Sequence, residues 1–476
     1  MKTLKTRTNK LKSNNNISFP IGTALAVKKY ASKLGFGRIF SKFKQRGVSL
    51  PNLIEALVSY RLTENQSLTR GSDWINRAEV LEEFSLKRFE QRTLFRAIET
   101  IGDNYEEVIL DLQDELFSQY DFSHTDVNMD WSSLILWGDK ATIAKYGYSR
   151  DYRPDKKQIT FGITELRKPI NIPVGLTIGK GNLNDQKHFQ KTFDQVKDRL
   201  RVGSNVIFDK GANSKENLNS IIASKMKFLT AKKLNKSDDL LIKKFWNLKL
   251  ELIDSEKEVY GFKQKFPSRV NYFFFSKNLQ GQQLESKMRK ASRQFNEAQE
   301  IQKSIDSKKK LPKKYQINNP LVDMKYYFQT KLPFLSEKEA FECVKKASIT
   351  GREGFFCLTS SENLTLKEAL FLYREKDSIE KIMNSLKNEI CIKPLRVWTE
   401  KSIYGALLIS YLAQLIISLI RYDLPKLKNI STKFIKISLS NLTVTIEKLN
   451  FLKKRRIYSN FDTINKLICL KNQATT

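Results

Sequence analysis

Tyr373-Arg-Glu-Lys376-Asp-Ser-Ile-Glu380-Lys-Ile-Met-Asn-Ser-Leu-Lys387 carries the most informative spacing of polar residues in this chain. At about 100° per residue in an α-helix, positions 373, 376, 380 and 387 fall within an arc of roughly 60°. One stripe then carries an aromatic hydroxyl, two ammonium groups and a carboxylate. Ile379, Ile382, Met383, Leu386 and Ile390 fall on a different arc, the one a core would cover. Thr365 followed three residues later by Glu368 is a capping-box pair, which predicts a helix from near Leu366 to beyond Lys387. A solvated amphipathic helix carries the same kind of stripe. What separates the two readings is whether the chain supplies partners for Glu380.

Two aspartates answer that description. Asp130 lies in the strand-like run Asn128-Met-Asp-Trp-Ser-Ser-Leu-Ile-Leu136, where Val127, Met129, Trp131 and Ile135 alternate to one face and leave Asp130 on the other. Asp209 closes the apolar run Asn205-Val-Ile-Phe208 just before Lys210-Gly211, at a strand end, where α/β sheets open their ligand crevice. Either aspartate alone is equally a strand-terminal turn residue. Three carboxylates together suffice for two Mg²⁺ or Mn²⁺ ions roughly 3.5–4 Å apart, one activating a water or hydroxyl and the other stabilising the leaving oxygen of a phosphodiester.

Composition narrows the partner. Among 476 residues, 84 Lys and Arg face 51 Asp and Glu, a net charge of +33. Such an excess favours a polyanion, nucleic acid first and an anionic membrane surface second. Cys343, Cys357, Cys391 and Cys469 are isolated and the only histidines are His124 and His188, so a zinc site and a histidine-based triad are not expected. Scattered cysteines suit a reducing cytosol. The basic start, Met1–Lys12, has no apolar run behind it and does not read as a secretory signal. Ile403–Ile420, IYGALLISYLAQLIISLI, is uncharged and at the lower edge of membrane-spanning length. Gln414 and its serines and tyrosines dilute it, which favours a buried helix and no membrane.

Along the chain, Ile21–Leu34, Leu50–Leu62 and Thr93–Gln119 read as helices in an N-terminal DNA-binding region, 1–118. Strand patterns follow at Val127–Trp137, Gln158–Thr164, Ile172–Ile178 and Asn205–Asp209, with a helix over 185–200, so 119–230 begins an α/β layered core. Residues 231–350 read as an insertion, with a strand at Val270–Ser276 and a charged helix over Leu284–Ser307. The core resumes over 351–425 with a strand at 354–359, and 426–476 is a basic C-terminal region.

These motifs resemble the DDE transposases of bacterial and archaeal insertion sequences, in the subgroup with a Tyr-x2-Arg-x3-Glu-x6-Lys signature. The match falls on Tyr373, Lys376, Glu380 and Lys387, with lysine at 376 where that family has arginine. Asp130 in Asp-Trp-Ser-Ser-Leu and Asp209 in Phe-Asp-Lys-Gly-Ala look like the family's two aspartates. The stretch Tyr146–Gln158 and Gly181-Asn-x-x-Asp185 are similar too.

The resemblance implies a ribonuclease-H-like core interrupted by an insertion between Asp209 and Glu380, and strand cleavage and transfer with Asp130, Asp209 and Glu380 as catalytic metal ligands. It implies DNA contacts from Tyr373, Lys376 and Lys387, while the basic loop holding Arg150, Arg153, Lys156 and Lys157 is a further contact candidate. It also implies terminal inverted repeats and target DNA as partners, a homodimer on DNA, and a prokaryotic cytoplasmic setting at the nucleoid. The alternative is a transposase-derived DNA-binding protein that has lost its chemistry.

Overall fold

The computed structural model describes residues 16–63, 67–122, 124–138, 140–248, 250–307, 338–339, 342, 348–390, 392–393, 395, 397–448 and 454–469. Cys343, Cys391, Met1–Lys12 and Lys308–Lys310 lie outside the described residues. The chain divides into two compact units, 1–228 with 373–476, and 229–372. The sequence places its boundaries at 118, 230, 350 and 425; the structure divides the chain only near 228 and 372.

The first unit opens with β1 (Asn16–Pro20), then helices α1 (Gly22–Lys33), α2 (Phe36–Ser41), α3 (Leu50–Thr63) and α4 (Leu68–Ile75). Helices α5 (Ala78–Glu83), α6 (Gln91–Asp103) and α7 (Tyr105–Gln119) complete the run. The single helix expected over 93–119 is two, broken at Asn104, whose side chain donates to the Thr100 carbonyl at 2.8 Å and ends α6. Strands β2 (Val127–Ile135), β3 (Gln158–Leu166), β4 (Ile172–Lys180) and β5 (Asn205–Phe208) follow, with α8 (Asp185–Asp194) before β5 and α9 (Lys215–Ala223) after it. Neighbouring strands run β4-β3-β2-β5: the first three are antiparallel to one another and β5 is parallel to β2.

The second unit holds β6 (Lys227–Lys232), α10 (Lys236–Lys243), β7 (Glu251–Asp254), β8 (Val259–Phe266), β9 (Arg269–Ser276), α11 (Lys277–Asp306) and β10 (Phe355–Ser360). Helix α12 (Leu366–Arg374) carries the boundary. Its strands form an antiparallel array, β6-β10-β9-β8-β7. Strand β10, expected to resume the core, is therefore the neighbour of β6 and β9. Phenylalanines fill this unit: Phe262 stacks on Phe273, Phe274 on Phe356, and Phe245 meets Phe355 edge-on.

The first unit resumes with α13 (Asp377–Asn384), α14 (Glu400–Asp423), α15 (Thr432–Asn441), β11 (Thr443–Lys448), β12 (Lys454–Ser459) and α16 (Thr463–Cys469). Helix α14 contains Ile403–Ile420 and is the axis of this unit: nearly all of that stretch is buried against protein. The Tyr411 hydroxyl donates to the Pro173 carbonyl on β4 at 2.9 Å. Helices α6 and α14 cross backbone to backbone at Gly102 and Gly405. A Cβ on Gly102 would stand 1.8 Å from the Lys401 carbonyl oxygen, and one on Gly405 would stand 2.0 Å from that of Ile98. The N-terminal helices thus pack on the same helix as the sheet. Of the basic tail, Arg456 on β12 pairs with the buried Glu83 of α5.

Candidate active site

Strand β2 has both faces covered, so the simple alternation expected for it is absent: Asn128, Ser132 and Leu134 are as buried as Met129 and Trp131. Asp130 is the half-buried exception in mid-strand. The parallel register pairs Val127 with Val206, Asn128 with Ile207 and Met129 with Phe208, so Asp130 and Asp209 occupy the next step. Asp209 ends β5 in extended backbone and starts the turn Lys210–Ala212.

The segment carrying Glu380 departs from the expected single helix. The capping box forms, with Thr365 and Glu368 exchanging bonds of 2.8 and 3.1 Å, but α12 stops at Arg374 and α13 starts at Asp377. A tight turn joins them: Lys376 N–H donates to Tyr373 O, and Ile379 N–H to Lys376 O, both at 3.1 Å. After Asn384 the chain widens into a π-turn, Ser385–Glu389, with Ile390 N–H donating to Ser385 O at 2.8 Å.

Tyr373, Lys376 and Glu380 nevertheless meet the aspartates. The Tyr373 hydroxyl donates to Asp209 Oδ1 at 2.8 Å. Lys376, 3% exposed, places Nζ 3.3 Å from Asp209 Oδ1 and 3.7 Å from Glu380 Oε1. Burial disfavours its charge, but Asp130, Asp209 and Glu380 outweigh that and raise its pKa above the usual lysine range. Burial pushes the Asp130 carboxyl up to about 6, with Lys376 pulling it down, Asp209 pushing it up and Arg150 pulling it down. Burial, then Asp209's charge and the hydrogen bond to it, raise the Tyr373 phenol, so it stays a donor.

Lys387, on the π-turn, flanks this group. Burial first, then Lys393, lower its amine to about 8, while Asp151 and Asp130 oppose the shift. Arg150 binds Asp185 Oδ2 at 2.8 Å. Arg153, Lys156 and Lys157 are not brought to the carboxylates. Arg153 pairs with Asp155, and both Arg153 and Lys156 lie over the ring of Trp137, at 5.5 and 4.7 Å from its centroid. Lys157 lies next to β3, its carbonyl accepting from Leu136 N–H at 2.9 Å.

Asp185 and the tyrosines of 146–152 lie in stretches that the sequence marks without giving them a role, whereas Trp137 and Glu165 carry no such signal. Asp185 opens α8 and, through Asp209's charge as well as burial, has its carboxyl raised. Glu165 on β3 is completely buried and accepts from Ser378 at 3.0 Å and Asn128 at 3.4 Å. Burial pushes it up to about 8. Trp137, Tyr146, Tyr148 and Tyr152 are exposed around the basic loop, Tyr152 at 90%. His188 is locked between Thr160 and Thr177 and held neutral, burial lowering it to about 3.

Three carboxylates on separate elements, Asp130, Asp209 and Glu380, thus share the charge of the Lys376 ammonium. Among the described residues no three His, Cys, Asp or Glu side chains close on one point. No protein-family profile matches the chain, and no curated sequence does. Among solved structures, the piggyBac transposase synaptic complex with hairpin DNA aligns over 90% of this chain and 81% of its own, at 11% identity and a TM-score of 0.42, a likeness too distant to bear on fold or function.

Proposed function

We propose that this chain is a transposase that binds the terminal inverted repeats of its own element, cuts a strand at each end and joins the freed 3′-hydroxyl to target DNA. The observation that carries the reading is the meeting of Asp130 and Asp209, on adjacent parallel strands, with Glu380 around the Lys376 ammonium. The strand order β4-β3-β2-β5, with its single parallel pair, supports a ribonuclease-H-like core in which residues 229–372 are the insertion.

The residues fit a divalent cation in donor type, since Mg²⁺ and Mn²⁺ take oxygen ligands. The Lys376 ammonium already stands in for positive charge between Asp209 and Glu380. Asp130, Asp209 and Glu380 would hold a pair of such ions, whose chemistry when bound is to activate the attacking oxygen and stabilise the leaving one. Tyr373 fixes the orientation of the Asp209 carboxylate through its hydrogen bond. Lys387 and Arg150 flank the carboxylates with positive charge for the scissile phosphate. A lysine at 376 supplies a point charge and not the bidentate fork of an arginine. The exposed aromatics of 137–152 with Arg153 and Lys156 offer stacking faces and cations to a nucleic-acid strand. Pairing two element ends calls for two copies on DNA.

The test uses labelled duplexes carrying the sequences that flank the reading frame. Mg²⁺- or Mn²⁺-dependent nicking at an imperfect inverted repeat, lost in Asp209→Asn, is the expected result. Specific, salt-sensitive binding without cleavage in either metal would instead assign the chain to the inactive, DNA-binding class.

A further inference from the structure

Behind the segment that carries Glu380 lies a cleft of about 520 Å³, walled by α13, the π-turn, α14 and the loop entering α15. Its volume is within the roughly 300–1,000 Å³ of small-molecule sites. One of its lining residues is Gln414 of α14, completely shielded from solvent, whose amide nitrogen reaches Ser418 Oγ at 3.4 Å while its oxygen has no hydrogen-bond partner. A buried amide atom left unpaired is destabilising. Half a turn of that amide gives its oxygen to the Ser418 hydroxyl and leaves two N–H donors in the unpaired position.

The walls are cationic. Arg421 of α14 holds the Ile430 carbonyl at 2.9 Å and the Thr432 hydroxyl at 3.0 Å, fixing the loop at the start of α15. Burial lowers the Arg421 guanidinium, and the charge of Glu389 opposes that. Lys381 and Lys428 add two further positive charges against the single carboxylate of Glu389. Helix α15 begins at Thr432, ten residues long with no acid in its first turn. Its cap, Ser431, accepts from Phe434 N–H, so by helix geometry the amides of 432 and 433 have no partner within the helix. The residues of a helix start, three cations and a buried, unpaired amide line one cleft.

We propose that this cleft binds a phosphate ester of nucleotide size, at a site separate from the Asp130–Asp209–Glu380 group. Phosphate is the anion that a helix start and an arginine recognise together, and the cleft has room for the sugar that the phosphate esterifies. The ester is either a free nucleotide or the terminal nucleotide of a DNA strand. Ser378 and Ser385 line the cleft from the segment whose other residues, Glu380 and Lys387, belong to the carboxylate site, and Ser385 Oγ lies 3.0 Å from Thr432 Oγ1. Occupancy therefore bears on the segment that sets the glutamate. The binding claim itself does not rest on the transposase reading.

The experiment is calorimetric titration of the full chain, free of metal, with adenosine 5′-monophosphate, inorganic phosphate and a short single-stranded oligonucleotide. Saturable binding of the nucleotide is expected, competed by inorganic phosphate and weakened at least about tenfold in both Lys381→Ser and Lys428→Ser. Lys426→Ser removes an exposed charge outside the cleft and should leave binding unchanged. Arg421→Gln should abolish it, but that variant also releases the loop, so the lysine variants carry the decision. Competition by the oligonucleotide assigns the site to a DNA end; its absence, with the nucleotide still bound, assigns it to a free nucleotide. No saturable binding, or equal loss in Lys426→Ser and Lys428→Ser, overturns the proposal.

Discussion

Asp130 and Asp209 occupy matching positions on neighbouring parallel strands, one step past the Met129–Phe208 pair. Matching positions place side chains on one face about 4.8 Å apart. Asp126, four residues earlier, has a different job: its Oδ1 accepts from Asn205 N–H at 2.7 Å and Arg167 lies 3.8 Å from its other oxygen.

Asp130→Asn, Asp209→Asn and Glu380→Gln should each cut metal-dependent strand cleavage by roughly a thousandfold or more, the scale on which loss of a catalytic group registers. Affinity for element ends should change little, and Asp126→Asn should stay active. Cleavage of a labelled end by each purified variant is the measurement. A dead Asp126→Asn beside an active Asp130→Asn would relocate the site.

The rings of Tyr152, Tyr148 and Trp137 are exposed, so the DNA contact proposed for them is testable apart from stability. Tyr148→Ala and Tyr152→Ala should each weaken single-strand DNA binding by about 1–3 kcal/mol if a base stacks there. Thermal midpoints should not move, because these side chains bury little. Fluorescence anisotropy at fixed salt reads the first effect, and full affinity in both variants would remove the loop from the DNA path.

Glu165 makes stability depend on pH in a predictable sense. Burial raises its carboxyl from 4.5 to about 8, against the hydrogen bonds from Ser378 and Asn128. The folded state keeps the proton after the unfolded chain has released it, so the stabilisation is complete below about 4.5 and is lost as pH rises through 8. Glu165→Gln has no proton to lose. Its unfolding free energy should fall less between pH 5 and 8, by on the order of a kcal/mol or more. Denaturant melts across that range decide it, and an unchanged slope would rule Glu165 out as the source.

Gly405→Ala should destabilise the protein by about 1–3 kcal/mol or prevent folding, since its Cβ would meet the Ile98 carbonyl at 2.0 Å. Gly37→Ala, in α2 with nothing within 4 Å of the new Cβ, should be neutral or gain up to about 1 kcal/mol. Equal behaviour of the two would show that the α6–α14 crossing has slack.

How much of this was legible in the sequence depended on how local the signal was. The Thr365–Glu368 cap, the strands around Asp130 and Asp209 and the apolar run inside α14 rest on neighbouring residues, and the structure has them. Tyr373, Lys376 and Glu380 lie near one another although the chain breaks between Arg374 and Asp377, because a tight turn closes from Lys376 N–H to the Tyr373 carbonyl. The π-turn at Ser385 leaves no mark in apolar periodicity. Strand β10 carries a strand pattern but its neighbours are chosen by tertiary pairing. Glu165 acquires meaning only from what is folded over it, and a residue string does not state that.

The close crossing at Gly102 and Gly405 has a consequence for synthesis. The two glycines are about three hundred residues apart, so the N-terminal helices leave the ribosome long before the helix they wrap exists. Until α14 emerges, the faces of α3 and α6 that pack on it lack their cover. A chain truncated before residue 400 should therefore be recovered as aggregate and not as a smaller working protein, which its solubility on expression checks.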